Sequence, residues 1–347
     1  MQHDLSLLRN FWYVAAPAAT LARGAMKPVT LLGDEILLMR DAQGIPHALR
    51  DFCPHRGMPL RHGRFDGCEV ECCYHGWRFD MQGSCTAIPS MVEEKTDIRK
   101  IRTGNYACVE QDGLIWVYLP APGSAETPAT TPPAMPTAIT GGFTHVVSSH
   151  FPCPIDHAVI GLMDPAHGPY VHRSWWWRTK RSMHAKTKQF APAPWGFKMV
   201  SHRPSSNSRA YKILGGDRTT EIAFQLPGLR TEHITIGRHH VVLLTALTPV
   251  DETNTVLHQF MYTSIPLLRL LTPLLKPFGK AFIAQDLDIV KKQQEGLKPG
   301  HPALLLMGDA DAQALWYYRL KKEAAAATAD ARPFENPLRE KTLQWRS

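Results

Sequence analysis

Cys53-Pro-His55-Arg-Gly57, then, after sixteen residues between His55 and Cys72, Cys72-Cys-Tyr-His75-Gly-Trp77: this stretch decides how the chain is read. Two thiols and two imidazoles arrive as two pairs. A glycine close behind each histidine (Gly57, Gly76) permits a tight loop that aims its ligands inward. Two sulfide-bridged irons need four protein ligands, and two Cys on one iron with two His on the other use this set. A structural zinc ion also takes two Cys and two His, but zinc modules favour pairs of like ligands. Here both pairs are mixed, Cys-x-His and Cys-x-x-His, which favours the two-iron centre. Each loop then gives one Cys to one iron and one His to the other. Cys73, beside Cys72, is expected to turn away as a buried thiol. Cys68, Cys85, Cys108 and Cys153 are expected to be small apolar packers.

The rest of the chain suits a globular protein built around such a centre. Its 347 residues are enough for two ordinary domains. Lys and Arg number 39 against 31 Asp and Glu, a net charge of +8, and 44% of residues are apolar, which argues against wholesale disorder. Seven cysteines, five of them between positions 53 and 85, make a disulfide framework a poor reading. Val241–Leu247 is typical of the apolar runs and too short to cross a bilayer, so no membrane span is expected. Met1–Leu8 lacks a basic region followed by an apolar core, so a cytoplasmic location is expected. No nucleic-acid partner is expected.

From Trp12 to Leu119 short strands alternate with turns. Val29–Leu32 and Ile36–Met39 flank a hairpin at Gly33-Asp34-Glu35, and Ile45–Leu49, Arg78–Asp80 and Leu114–Leu119 follow. Pro120–Pro136 is rich in proline and poor in large apolar side chains, which is linker chemistry. The expected division is therefore a β-rich domain over 1–120, a linker over 121–137 and a second domain over 138–347. In the second domain Ile155–Met163 reads as a helix. Phe197–Ser201, Tyr211–Leu214, Ile222–Leu226, His233–Ile236, His239–Leu247 and Val256–Thr263 read as an antiparallel sheet. Leu274–Glu295 and Asp309–Glu323 read as helices, and the Ala324–Ala331 tail is expected to fray.

Cys53-Pro-His55-Arg-Gly57 with Cys72-Cys-Tyr-His75-Gly-Trp77 resembles the Rieske motif of the ring-hydroxylating, or Rieske non-haem iron, oxygenases. Arg78-Phe-Asp80 and Gly83–Pro89 continue that pattern. Rieske domains also occur in electron-transfer proteins without catalysis, and that alternative turns on a second iron site. Asp164-Pro-Ala-His167-Gly-Pro-Tyr-Val-His172 matches the family's Asp-x-x-His-x4-His pattern. Two histidines and one carboxylate make a facial triad that leaves positions open on Fe(II). The resemblance places the carboxylate at Asp286, within Gln285-Asp-Leu-Asp288, with Asp288 the competitor. On a helix Asp288 faces about 200° away from Asp286, so the two cannot share the role. Many family members carry Asn where this chain has Gly161, so any hydrogen bond from that Asn is absent or replaced.

The resemblance implies the rest. The fold is α+β: a β-rich Rieske [2Fe–2S] domain, then a catalytic domain with a curved antiparallel sheet flanked by helices (helix-grip, START-like). The cofactors are the [2Fe–2S] cluster through Cys53, His55, Cys72 and His75 and a mononuclear Fe(II) through His167, His172 and Asp286. O2 is the co-substrate. Asp164 links His167 to the Rieske histidine His75 of a neighbouring subunit in a homotrimer; the plainer reading is a helix N-cap with Pro165 first in the helix. The reaction implied is hydroxylation or oxidative demethylation of an aromatic or other apolar small molecule, as in aromatic-compound catabolism. No Gly-rich dinucleotide fingerprint or second ferredoxin pattern is evident, so NAD(P)H acts through a separate reductase, with or without a ferredoxin. Arg56, Arg61, Arg64 and Arg78 crowd the cluster loops, where they suit an acidic redox partner or are solvated loop charges. Trp175-Trp176-Trp177 lies where a cavity or trimer face is expected.

Overall fold

A computed structural model describes residues 7–92, 97–124, 127–128, 130–137, 139, 142–172, 183–204, 217–297 and 304–347. Arg9–Ala134 forms one compact unit, and Met135–Ser347, joined by Leu7 and Leu8, forms the other, so the chain divides inside the proline-rich segment. That segment is tied to the first unit: Trp12 Nε1 donates to the Thr130 carbonyl at 2.7 Å and Gln111 Nε2 to the Pro133 carbonyl at 2.9 Å. Proline leaves carbonyls without ladder partners, and side-chain donors take them up.

The first unit holds β1 (Phe11–Pro17), β2 (Met26–Leu31), β3 (Asp34–Arg40), β4 (Pro46–Arg50), β5 (Arg64–Phe65), β6 (Glu69–Glu71), β7 (Arg78–Asp80), β8 (Cys85–Ala87), β9 (Asn105–Tyr106), β10 (Cys108–Gln111) and β11 (Leu114–Leu119). They form three antiparallel sheets, β1-β11-β10, β2-β3-β4-β9 and β5-β6-β7-β8. The β2–β3 turn is tighter than the sequence suggested: Leu31 pairs with Asp34 around Leu32-Gly33. Leu37, Met39, Leu49, Leu60, Val70 and Phe79 pack as one core, and Cys53, Cys72 and Cys85 belong to it.

The second unit holds β12 (His145–Phe151), α1 (Ile155–Met163), α2 (Gly168–Val171), β13 (Ala185–Ala193), β14 (Gly196–His202), β15 (Arg218–Gln225), β16 (Leu229–Ile236), β17 (His239–Pro249), β18 (Thr255–Thr263), α3 (Pro266–Gly296), α4 (Ala312–Ala329) and β19 (Lys341–Arg346). The strands form one eight-stranded antiparallel sheet, β12-β18-β17-β16-β15-β14-β13-β19. Helices cover one face. Leu268 of α3 packs on Ile234, Val241 and Met261, and Trp316 of α4 meets the Phe197 ring at 5.2 Å. The expected α+β class is the one observed. Three details differ. Helix α3 begins at Pro266 rather than Leu274. The tail expected to fray continues α4 to Ala329, with Ala324 and Ala327 buried. The chain then returns as β19, which pairs with β13. Tyr211–Leu214 and Trp175–Trp177 lie outside the described residues.

Candidate metal centres

Two short loops of the first unit repeat one backbone plan. Cys53 N donates to the Met58 carbonyl and Gly57 N to the Cys53 carbonyl, both at 2.8 Å. Cys72 N donates to the Trp77 carbonyl at 2.8 Å and Gly76 N to the Cys72 carbonyl at 3.0 Å. Gly57 and Gly76 both have φ near +71°, a conformation other residues resist. A Cβ on Gly76 would also lie 3.1 Å from Pro89 Cγ. The pattern Cys-x-x-x-Gly and its counterpart thus fold locally into matching turns.

The turns divide their ligands by depth. The two thiols are buried in the core, whereas the imidazoles are half-buried above them. Burial, reinforced by the neighbouring Cys72 sulfur, pushes the Cys53 thiol up to about 11. Metal binding there would have to displace that proton. The His55 and His75 rings lie 4.6 Å apart, and His55 stacks on Trp77 at 4.6 Å with 4° between planes. Burial, then His75 and Arg56, lowers the His55 pKa and favours the neutral ligand form. His75 Nδ1 is buried without a hydrogen-bond partner, an orphan that a metal would satisfy. A single zinc ion needs its ligand atoms in one tetrahedral shell. Among the described residues, the three-ligand group whose atoms lie within 4.8 Å of one another draws nothing from these loops. A deep thiol pair and a shallower imidazole pair fit two bridged irons.

The other cysteines differ from expectation in part. Cys85 and Cys153 are buried, Cys108 is intermediate, and Cys68 and Cys73 are exposed. Cys73 is therefore not the buried thiol expected: Cys72 takes the inward position, and its neighbour on the turn faces out. Two of the four loop arginines are neutralised. Arg61 pairs with Glu35 at 2.7 Å and Asp51 at 3.2 Å, and Arg78 with Glu71 at 2.8 Å. Arg56 and Arg64 are exposed.

In the second unit α1 ends at Asp164, and the single turn of α2 separates His167 from His172. Their Nε2 atoms lie 3.2 Å apart. Asp286 Oδ1, from α3, lies 3.7 Å from His167 Nε2 and 3.5 Å from His172 Nε2. The far nitrogens are held from behind. His167 Nδ1 is 2.9 Å from the Asp164 carbonyl oxygen and His172 Nδ1 is 3.3 Å from Gln285 Oε1. With the Nδ1 protons donated outward, both Nε2 lone pairs point to one spot, the tautomer a metal site needs. Phe282 stacks behind His172 at 3.6 Å. Burial pushes the Asp286 carboxyl up to about 7. Two imidazoles and one carboxylate on one side of a point are the donor set of a facial triad.

Asp288 turns away and pairs with Lys292, four residues on. Asp164 Oδ1 accepts from Ala166 N at 2.7 Å, and its Oδ2 lies 3.7 Å from His167 Nδ1. It therefore ends α1 in a tight side-chain turn and caps no helix start; α2 begins at Gly168, with Pro169 in its first turn. The plainer reading of Asp164 as an N-cap gives way because Pro165 lies in a bend, outside either helix. A Cβ on Gly161 would meet nothing within 4 Å, so that position is open. Sequence reasoning passed over Gln285 and Phe282 as supports of His172; their one signal was adjacency to Asp286 on the same helix. Among the described residues no helix is long and apolar enough to cross a membrane.

Comparison with known proteins agrees with this geometry. Residues 11–106 match the Rieske [2Fe-2S] domain, and residues 151–327 match the vanillate O-demethylase oxygenase C-terminal domain. The chain is 37% identical over 169 residues to a chloroplastic chlorophyllide a oxygenase of Chlamydomonas reinhardtii, covering 48% of this chain and 25% of that protein. It is 35% identical over 179 residues to the oxygenase component of dicamba O-demethylase of Stenotrophomonas maltophilia, covering 49% of each. The matches thus span between a quarter and a half of these two curated relatives. The crystal structure of dicamba monooxygenase bound to dicamba shares the fold, with a TM-score of 0.70 at 22% identity, over 95% of this chain and 100% of that one. With two Cys/His pairs on matching turns in one unit, a convergent two-histidine, one-carboxylate group in the other and both domain families matched, the chain belongs to the Rieske non-haem iron oxygenases.

Proposed function

We propose that the protein is a terminal oxygenase component. It would use O2 and electrons from a separate NAD(P)H-dependent reductase to hydroxylate or oxidatively demethylate an aromatic or other apolar small molecule. Residues 1–120 form its Rieske domain, 121–137 the linker and 138–347 the catalytic domain. Cys53, Cys72, His55 and His75 hold the cluster, and His167, His172 and Asp286 hold the iron. Bound there, the cluster would supply single electrons and the iron would supply oxygen activation. The chain's own part is to fix tautomers through Asp164 and Gln285, to keep the thiols dry and to present three ligands from one side. The observation that carries this reading is the convergence of His167, His172 and Asp286 within 4.8 Å. A Rieske electron-transfer protein without catalysis has no need of it.

We further propose a homotrimer, in which Asp164 joins His167 to His75 of the neighbouring protomer. A cytoplasmic location suits the five cysteines outside the cluster set, which form no disulfide. The test is to replace His167, His172 or Asp286 singly with Ala and assay product with a reductase, NADH and O2. Each variant should lose turnover by about 10²-fold or more while keeping the absorption and reduced-state paramagnetic signal of the cluster. Full turnover in any of the three would overturn the assignment.

A further inference from the structure

The strand register fixes which side chains share the helix-covered face of the sheet. Phe224, Arg230, Thr245, Gln259 and Val147 form one row across β15, β16, β17, β18 and β12. Phe224 meets the Tyr317 ring of α4 at 5.7 Å, so this row faces the helices. The next row on that face runs Ile222, Glu232, Leu243, Met261 and His145, and Met261 belongs to the cluster that receives Leu268 of α3. Arg230 and Glu232 are thus neighbours on an interior strand, on the face crossed by the helix that carries Asp286. Two charged groups amid Phe224, Ile222, Leu243 and Met261 require a reason.

The pairing of Arg230 is incomplete. Arg230 Nη2 donates to Glu232 Oε2 at 3.1 Å, and among the described residues this is the guanidinium's one hydrogen bond. A guanidinium has five N–H donors, and a core ion pair built for stability would use the fork bidentately. The Arg230 side chain keeps 17% of its surface accessible although it lies within the sheet. Burial pushes its pKa down to about 10, still well above neutrality, so the charge persists. Directly across the row Thr245 is fully buried, and its hydroxyl has no hydrogen-bond partner. Spare donors and an unsatisfied hydroxyl therefore belong to cross-strand partners, with a carboxylate already on the guanidinium.

That combination selects its complement. A carboxylate-bearing ligand would bring a second negative charge beside Glu232 in a poorly screened site, at a large desolvation cost. An uncharged acceptor oxygen would satisfy the spare N–H groups and the Thr245 hydroxyl with no net charge. We propose that Arg230 and Thr245 are the polar anchor of the substrate site, taking a neutral carbonyl oxygen, and that Glu232 selects against carboxylates. The inference rests on the oxygenase reading for what the site serves, and it deepens that reading by naming a substrate class: apolar molecules bearing a ketone, ester or amide carbonyl.

The test is calorimetric titration of anaerobic holoenzyme with size-matched aryl methyl ketones and aryl carboxylates of one to three rings. Ketones should bind about tenfold or more tightly than their matched acids. Arg230→Gln should weaken ketone binding by a similar factor, and Thr245→Val by a smaller one. Glu232→Gln should raise the affinity for acids and narrow the gap, which keeps the test decisive if Arg230→Gln fails to fold. Tighter binding of acids by the unaltered enzyme, failure of every ketone to bind, or no change in Glu232→Gln would overturn the proposal. Because binding is read without turnover, the two readings separate. Ketone binding through Arg230 with no O2-dependent product would sink the oxygenase reading alone. Product from acids, unaffected by Arg230→Gln, would sink the anchor alone.

Discussion

Asp286, the proposed carboxylate ligand, shows how burial sets the behaviour of the protein around it. Its carboxyl ionises near pH 7 in the fold and near the ordinary 3.8 when the chain is unfolded. Between those values the unfolded chain has lost the proton and the folded chain has kept it. Stability must therefore fall as pH rises through this window, the reverse of the usual surface Asp. In protein stripped of iron with a chelator, the melting temperature should drop between about pH 4 and 7. About a third of the side chain faces solvent, so roughly 2 kcal/mol survives screening, or about 4–8 °C. Asp286→Asn cannot ionise and should flatten the slope, which a melting series across pH would read directly. An unchanged slope in that variant would place the titrating group elsewhere. Added Fe(II) should restore stability most at the alkaline end, because the metal takes the ionised carboxylate.

At the level of elements, the ligands depend on how three helices are pinned. Lys321 of α4 donates to both Asp156 oxygens, at 2.9 and 2.7 Å, and Tyr317 donates its hydroxyl to the same carboxylate. Asp156 is fully buried and the Lys321 side chain is 5% exposed. The adjacent His157 Nδ1 meets Gln294 Nε2 of α3 at 3.3 Å, two turns beyond Asp286. Helix α1, which delivers the 164–172 loop, is thus fastened to α4 by charge and to α3 by a polar contact. Asp156→Ala would strand a buried ammonium and should cost about 3–5 kcal/mol in urea unfolding. Asp156→Leu with Lys321→Met should recover most of that loss, as apolar replacements of buried pairs do. A double variant as weak as the single would mean that packing, not the unpaired charge, carries the cost.

None of that tie was legible in the sequence, because Asp156 and Lys321 are 165 residues apart and each alone looks like a surface charge. The spacings proposed for the ligands were legible as turns because the backbone sets them locally: Cys53 to Gly57, Cys72 to Gly76 and His167 to His172. Helix α3 was read only from Leu274, one residue past Pro273, although the reading already ran through Pro277. Both are exposed, where a carbonyl deprived of its N–H partner can turn to water, and the helix continues through them. Strand β19 was missed for another reason. Its burial alternates at Leu343 and Trp345, but an edge strand is specified by its partner β13, at the far end of the second unit's sequence.

For the whole molecule, the trimer proposal makes a claim that no single chain can satisfy. If the cluster of one protomer serves the iron of the next, two defective chains should complement each other. Consider His75→Ala, which disables the cluster, co-expressed with His167→Ala, which disables the iron. Each homotrimer is inactive. In randomly mixed trimers half the chains keep a working iron, and half of those have a neighbour with a working cluster on the correct side. Closed threefold symmetry allows one such neighbour per iron, so about a quarter of normal activity should return. Asp164→Asn placed in the chain that keeps its iron should then slow the recovered turnover while iron content stays level. Placed only in the other chain, whose iron site is already dead, it should change nothing, because the junction uses the aspartate beside the working iron. Transfer within one chain predicts no recovery at any mixing ratio, so activity measured against subunit ratio decides between the two arrangements.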